Sequence, residues 1–160
     1  MIVYTSFIVM GLTVGSEDVD DVDYSKYLGP DYQKDFKMSK SGRASTYVAN
    51  HSGIMDIMSL IWVLKADVSF VAGSFVAEMP FAGFLAKSIS TIFVQRRGID
   101  GATEIDATAV IIDRQRLVEN TGSLPPVCLY PEGTTCNNTC IMPFKRGAFL
   151  AKTTVIPIIY

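Results

Sequence analysis

The sequence predicts an α/β fold: a mixed, largely parallel β-sheet flanked by helices. Three observations carry that prediction. Short apolar, β-branched runs of strand length recur from residue 44 to the end of the chain. Segments of helical length separate them, and one places Ile105, Ala109 and Ile112 at i, i+4 and i+7 with Glu and Arg opposite. Strands that alternate with helices need crossover connections, which favour parallel pairing with helices on the sheet faces.

Taken in order, residues 44–49 read as the first strand and 56–64 as an apolar helix. Residues 68–72 form a short β-branched run. Residues 81–89 read as a helix with Pro80 near its first turn, where a missing N–H is tolerated. Residues 91–95 form a strand. Residues 103–118 form the clearest helix, and Thr103 and Asp106 have the spacing of a capping pair. Residues 126–130 form a strand, 145–152 a short helix, and 154–159 a last strand expected to be buried. No Gly-rich dinucleotide loop or P-loop is present.

Residues 1–42 read differently. The first sixteen carry no charge. A bilayer span needs about 20 apolar residues, and a signal peptide needs a basic start. Residues 1–12 are therefore expected to be a buried element or the remainder of a membrane segment. The acidic stretch with Glu17, Asp18, Asp20, Asp21 and Asp23 lacks the Gly and the terminal Glu of a calcium loop, so it reads as a solvated loop. The expected organisation is a truncated membrane-proximal region at 1–42 and one domain at 43–160, incomplete at its C-terminus.

Composition excludes some functions. A net charge of −2 is too small to recruit a charged partner, and no basic run points to nucleic acid. Cys128, Cys136 and Cys140 are odd in number and form no CxxC, which argues against a disulfide framework. The one histidine lies far in sequence from Cys136 and Cys140, so no metal site is expected.

His51 is the only imidazole, and any histidine chemistry must use it. It sits between a strand and a helix, where α/β proteins place their sites. Asp56 follows five positions later. In a regular helix that offset points two side chains apart; they converge only if His51 lies in the turn before the helix, which Ser52-Gly53 allows. A carboxylate on one ring nitrogen fixes the tautomer and makes the other nitrogen a better base. The pair can then take a proton from an alcohol. The competing reading is a structural hydrogen-bonder after a strand.

Two further places invite a phosphate. Tyr130-Pro131-Glu132-Gly133-Thr134 ends a strand and opens a turn whose backbone N–H groups can bind an anion; a plain strand-ending turn explains it as well. Arg96 ends a strand and offers a planar fork of donors, against which stands a solvated charge pair with Arg97. Lys145-Arg146 is a similar pair of cations. The apolar residues of 75–85, with Met79, Phe81, Phe84 and Leu85, either touch a bilayer or pack into the core.

Read together, these stations resemble the PlsC-like glycerolipid acyltransferase family. Asn50-His51-Ser52-Gly53-Ile54-Met55-Asp56 is similar to its NHxxxxD block. Ser90-Thr91-Ile92-Phe93-Val94-Gln95-Arg96 is similar to GxxFIxR, with Ser90 in place of Gly. Tyr130-Pro131-Glu132-Gly133-Thr134-Thr135 is similar to FPEGTR, and Val155-Ile156-Pro157-Ile158 to VIPI. The blocks occur in the family's order and the resemblance covers 43–160. The stretch 130–149 is most similar to lysophosphatidylcholine and lysophosphatidylethanolamine acyltransferases. Thr135 stands where many members have Arg; the cations of Lys145 and Arg146 are candidates to replace it.

The resemblance implies a glycerol-3-phosphate acyltransferase-like fold and transfer of a fatty-acyl group from acyl-CoA to a lysophospholipid or glycerol-phosphate hydroxyl. It implies His51 as general base, Asp56 as its orienting carboxylate, and Arg96 as the group that binds the acceptor phosphate. Glu132, Gly133, Thr134 and Lys145 are implied to form the same substrate pocket. It implies no cofactor beyond acyl-CoA as co-substrate, lipid partners, and a membrane location at the endoplasmic reticulum. A non-catalytic lipid- or acyl-CoA-binding module on the same fold is the alternative. A hydrolase that uses Ser52 is a third reading, and the chain lacks the GxSxG elbow such an enzyme uses.

Overall fold

The computed structural model describes residues 13–15, 23–32, 43–94, 107–137 and 139–159. Arg96, the apolar segment 1–12, most of the acidic stretch and the Thr103–Asp106 pair lie outside the described residues. Five strands form one sheet: β1 (Thr46–Ala49), β2 (Ser69–Gly73), β3 (Ile92–Val94), β4 (Val127–Leu129) and β5 (Val155–Ile158). Their order is β3-β2-β4-β1-β5, and every neighbouring pair is parallel. Thr46 pairs with Val127 on one side and with Val155 on the other.

Parallel strands need crossovers, and helices supply most of them. After the short α1 (Ser25–Leu28), α2 (Ile54–Val63) joins β1 to β2, α3 (Pro80–Ser88) joins β2 to β3, and α4 (Ala107–Thr121) lies between β3 and β4. Leu60 and Ile61 of α2 join Ala49, Val68, Phe70, Ile89 and Cys128 in a buried cluster. Burial pushes the Cys128 thiol up to about 12, which makes it an inert core residue. Pro80 opens α3 as expected, and Gly122, at φ 62°, follows the end of α4. Among the described residues no helix is long and apolar enough to cross a membrane.

Two features depart from the sequence expectation. Residues 145–152 form only a 3₁₀ turn at Arg146–Ala148. The backbone N–H of Lys145 is tied to the Pro131 carbonyl, and the Ala148 carbonyl accepts the buried Gln115 amide at 3.0 Å, so these groups serve tertiary contacts in place of a helical ladder. Among the described residues the last strand lies at one end of the sheet and is not buried, with Ile156 43% exposed. Pro157 lacks an N–H to donate, which suits an edge position. A 3₁₀ segment at Ser74–Glu78, unannounced by any periodicity, links β2 to α3.

Two glycine-related positions yield stability predictions. Ser90 adopts φ 58°, the left-handed region. That conformation costs a non-glycine residue about 1–2 kcal/mol, while glycine's extra unfolded freedom costs about 0.5–1 kcal/mol. Ser90→Gly is therefore expected to stabilise the fold by about 0.5–1 kcal/mol, seen as a higher midpoint in thermal unfolding. This is the position at which the family block carries Gly. Gly83 is the opposite case. A Cβ there would lie 2.5 Å from the Ala77 carbonyl oxygen and 2.9 Å from that of Val76. Both obstacles are backbone, so Gly83→Ala is expected to destabilise by about 1–3 kcal/mol in denaturant titration.

Candidate active site

The sheet topology brings the candidate residues together. Leaving β1, the chain crosses toward β2; leaving β4, it crosses the other way, toward β5. Each connection passes its neighbour's strand, and sites in open parallel sheets lie at the carboxyl ends of the strands. His51 emerges just beyond β1, and Tyr130 to Gly133 just beyond β4, on this shared edge.

His51 lies in the turn, not in the helix, as its pairing with Asp56 requires. Its Nδ1 is 2.8 Å from Asp56 Oδ2. The same oxygen accepts the Ser52 N–H at 2.6 Å and the Gly53 N–H at 2.9 Å, and Oδ1 accepts the Ser52 hydroxyl at 2.8 Å. Asp56 is the third residue of α2, so it also caps the helix by reaching back to N–H groups that lack intrahelical partners. Its side chain is only 6% exposed. Burial pushes its carboxyl up, but the hydrogen bonds from Gly53, His51 and Ser52 together outweigh that, and the group stays below its ordinary value. An ionised carboxylate only accepts, so Nδ1 carries a proton, and in the neutral ring Nε2 keeps its lone pair. Among the described residues no hydrogen-bond partner meets Nε2, and 18% of the side chain is exposed.

Glu132 is 3% exposed. Its Oε1 accepts the His51 backbone N–H at 3.0 Å, and its Oε2 accepts the Met142 N–H at 3.1 Å. The Met142 bond lowers its carboxyl most; burial opposes, and the His51 N–H, the Cys136 thiol and the nearby imidazole add to the lowering. Gly133 adopts φ 73°. A Cβ there would meet the Lys145 side chain, 2.9 Å from Cε, so the missing side chain makes room for the ammonium. Thr134 and Lys145 are exposed beside this turn. The structure thus gathers His51, Asp56, Glu132, Gly133 and Lys145 at one edge of the sheet.

Three contacts around the pair were not foreseen from the sequence. Tyr130 stacks on the His51 ring with centroids 4.0 Å apart and planes 19° from parallel, and Phe70 continues the stack behind it. The Cys136 N–H donates to the His51 carbonyl at 2.7 Å. Ser52 binds the Asp56 carboxylate through both backbone and side chain. Ser52 lies inside the His51–Asp56 interval, the one local signal available. Among the described residues no three metal-binding side chains converge.

Comparison with known proteins identifies the family. The family model described as Acyltransferase matches residues 32–160. A lysophospholipid acyltransferase of Arabidopsis thaliana is 34% identical over 124 residues, which is 73% of this chain and 29% of that protein. A lysophosphatidylcholine acyltransferase of Drosophila melanogaster is 32% identical over 76% of this chain and 23% of its own length. The chain thus spans less than a third of these relatives. The crystal structure of a 1-acyl-sn-glycerophosphate acyltransferase from Thermotoga maritima superposes with a TM-score of 0.53 at 22% identity, covering 72% of this chain and 43% of that one, and shares the fold. With a family model matched from residue 32 to residue 160, the chain belongs to the acyltransferase family.

Proposed function

We propose that this chain catalyses transfer of a fatty-acyl group from acyl-CoA to the hydroxyl of a lysophospholipid or glycerol-phosphate acceptor. The observation that carries the proposal is the His51–Asp56 pair at 2.8 Å, with Nε2 outside that bond and the side chain 18% exposed. In the proposed reaction Nε2 takes the proton of the acceptor hydroxyl as its oxygen attacks the thioester carbonyl. The tetrahedral adduct collapses, the carbon–sulfur bond breaks, and CoA leaves as a thiolate that recovers the proton from His51. Asp56 holds Nδ1 and balances the transient imidazolium. No serine nucleophile is required, because the thioester is activated enough for direct attack.

The proposed ligand of the acceptor phosphate is Arg96, as the family resemblance implies; Lys145, Gly133 and Thr134 are the further proposed contacts, with Glu132 shaping their turn from within. The names of the Arabidopsis and Drosophila relatives favour a lysophospholipid. Exposed Phe75, Met79, Phe81 and Phe84 on the 3₁₀ segment and α3 favour contact with lipid, consistent with a membrane location at the endoplasmic reticulum. No cofactor beyond the co-substrate acyl-CoA enters the scheme.

The test is a panel of lysophospholipids and glycerol 3-phosphate incubated with radiolabelled acyl-CoA and this chain in vesicles. Labelled phospholipid with stoichiometric CoA release is the expected result. Binding of acceptor or acyl-CoA without CoA release would overturn it in favour of a non-catalytic module.

A further inference from the structure

We propose that the turn after β4 is a cradle that orients His51, and that Glu132 serves as its positioning residue instead of contacting the substrate directly. The inference rests on the reading of His51 as base. His51 lies outside helix and strand, so no repeating ladder fixes its backbone. Its N–H instead donates to Glu132, its carbonyl accepts from Cys136, and its ring lies on Tyr130. All three contacts come from one segment, 130–136, with Glu132 81 residues distant in sequence. Asp56 fixes Nδ1 from the other side. Four constraints from two directions leave only Nε2 without a partner among the described residues.

Glu132 is suited to this task and poorly placed for a ligand. It is 3% exposed, and each carboxylate oxygen already accepts a backbone N–H. A buried carboxylate needs such partners to offset its lost hydration. Its grip on Met142 closes the 132–142 loop, and its grip on His51 docks that loop against the end of β1. A shift at Glu132 therefore moves the imidazole. A misplacement of about 1 Å in a reacting group can cost about 10²-fold in rate.

Glu132→Gln tests the idea. An amide nitrogen cannot accept an N–H, so one of the two bonds is lost. We expect kcat to fall by about 10- to 100-fold and the KM values for lysolipid and acyl-CoA to stay within about threefold. Because the chain has one histidine, its imidazole nitrogens give a single set of NMR signals without substrate. Those signals are expected to move in Glu132→Gln, with Tyr130→Leu shifting them and lowering kcat more than Tyr130→Phe, which keeps the aromatic face. Wild-type imidazole signals together with a raised acceptor KM would overturn the cradle and make Glu132 a substrate ligand. Should Glu132→Gln fail to fold, the two Tyr130 variants decide alone: unmoved signals in Tyr130→Leu reject the proposal. Activity that survives His51→Ala removes the general-base reading instead, and the imidazole signals separate that failure from this one.

Discussion

His51→Ala is expected to lower acyl transfer by about 10²–10⁴-fold, the usual contribution of a positioned general base. The fold should survive, because the contacts to Glu132 and Cys136 are made by backbone atoms that alanine retains. What is lost is the ring stack on Tyr130 and the bond to Asp56. Asp56 keeps three hydrogen bonds from Ser52 and Gly53, so its buried charge stays partnered. Labelled acyl transfer and a thermal melt, measured on the same preparation, check both halves. A variant that melts like the parent and transfers at the parental rate would dismiss histidine catalysis.

Asp56→Asn is expected to cost about 10²–10⁴-fold as well, through the lost negative charge that balances the transient imidazolium. The amide oxygen takes the place of Oδ2, where the Ser52 N–H, the Gly53 N–H and Nδ1–H all donate to it. The NH₂ takes the place of Oδ1 and donates to the Ser52 hydroxyl, so the ring keeps its tautomer and loses the negative charge beside it. The substitution also weakens the start of α2, by about 0.3–1 kcal/mol, because it removes a negative charge near the helix N-terminus. A pH series separates the two effects. The carboxyl of Asp56 is held below its ordinary value when folded. It therefore adds stability above the unfolded value of about 4 and loses it as pH falls through the lower folded value. Stability of the parent should decline through that acid window, and the contribution from this site should be absent in Asp56→Asn. Normal transfer by the variant at neutral pH would show that the negative charge of Asp56 is not needed.

Much of the fold was legible because it is written locally. Alternation of β-branched runs with helical spacing marked each of the five strands to within a residue or two, and Pro80 marked the start of α3. The bond between His51 and Asp56 was legible as well. An offset of five closes only across a turn, and Ser52-Gly53 supplies one. The short helix expected near Lys145 failed for a long-range reason: Gln115, on a helix 33 residues earlier, takes the Ala148 carbonyl. The role of Arg96 lies outside the described residues.

By itself, then, the sequence determined the class of fold, the strands, and a histidine and carboxylate close enough to meet across one turn. Periodicity and turn chemistry act over a few residues, so these features need no knowledge of the rest of the chain. Only the tertiary structure decided that β4 inserts between β2 and β1. That placement sets Tyr130 against the imidazole and Glu132 under its backbone. Strand order follows from which apolar faces bury one another across the whole domain, and no local pattern encodes it.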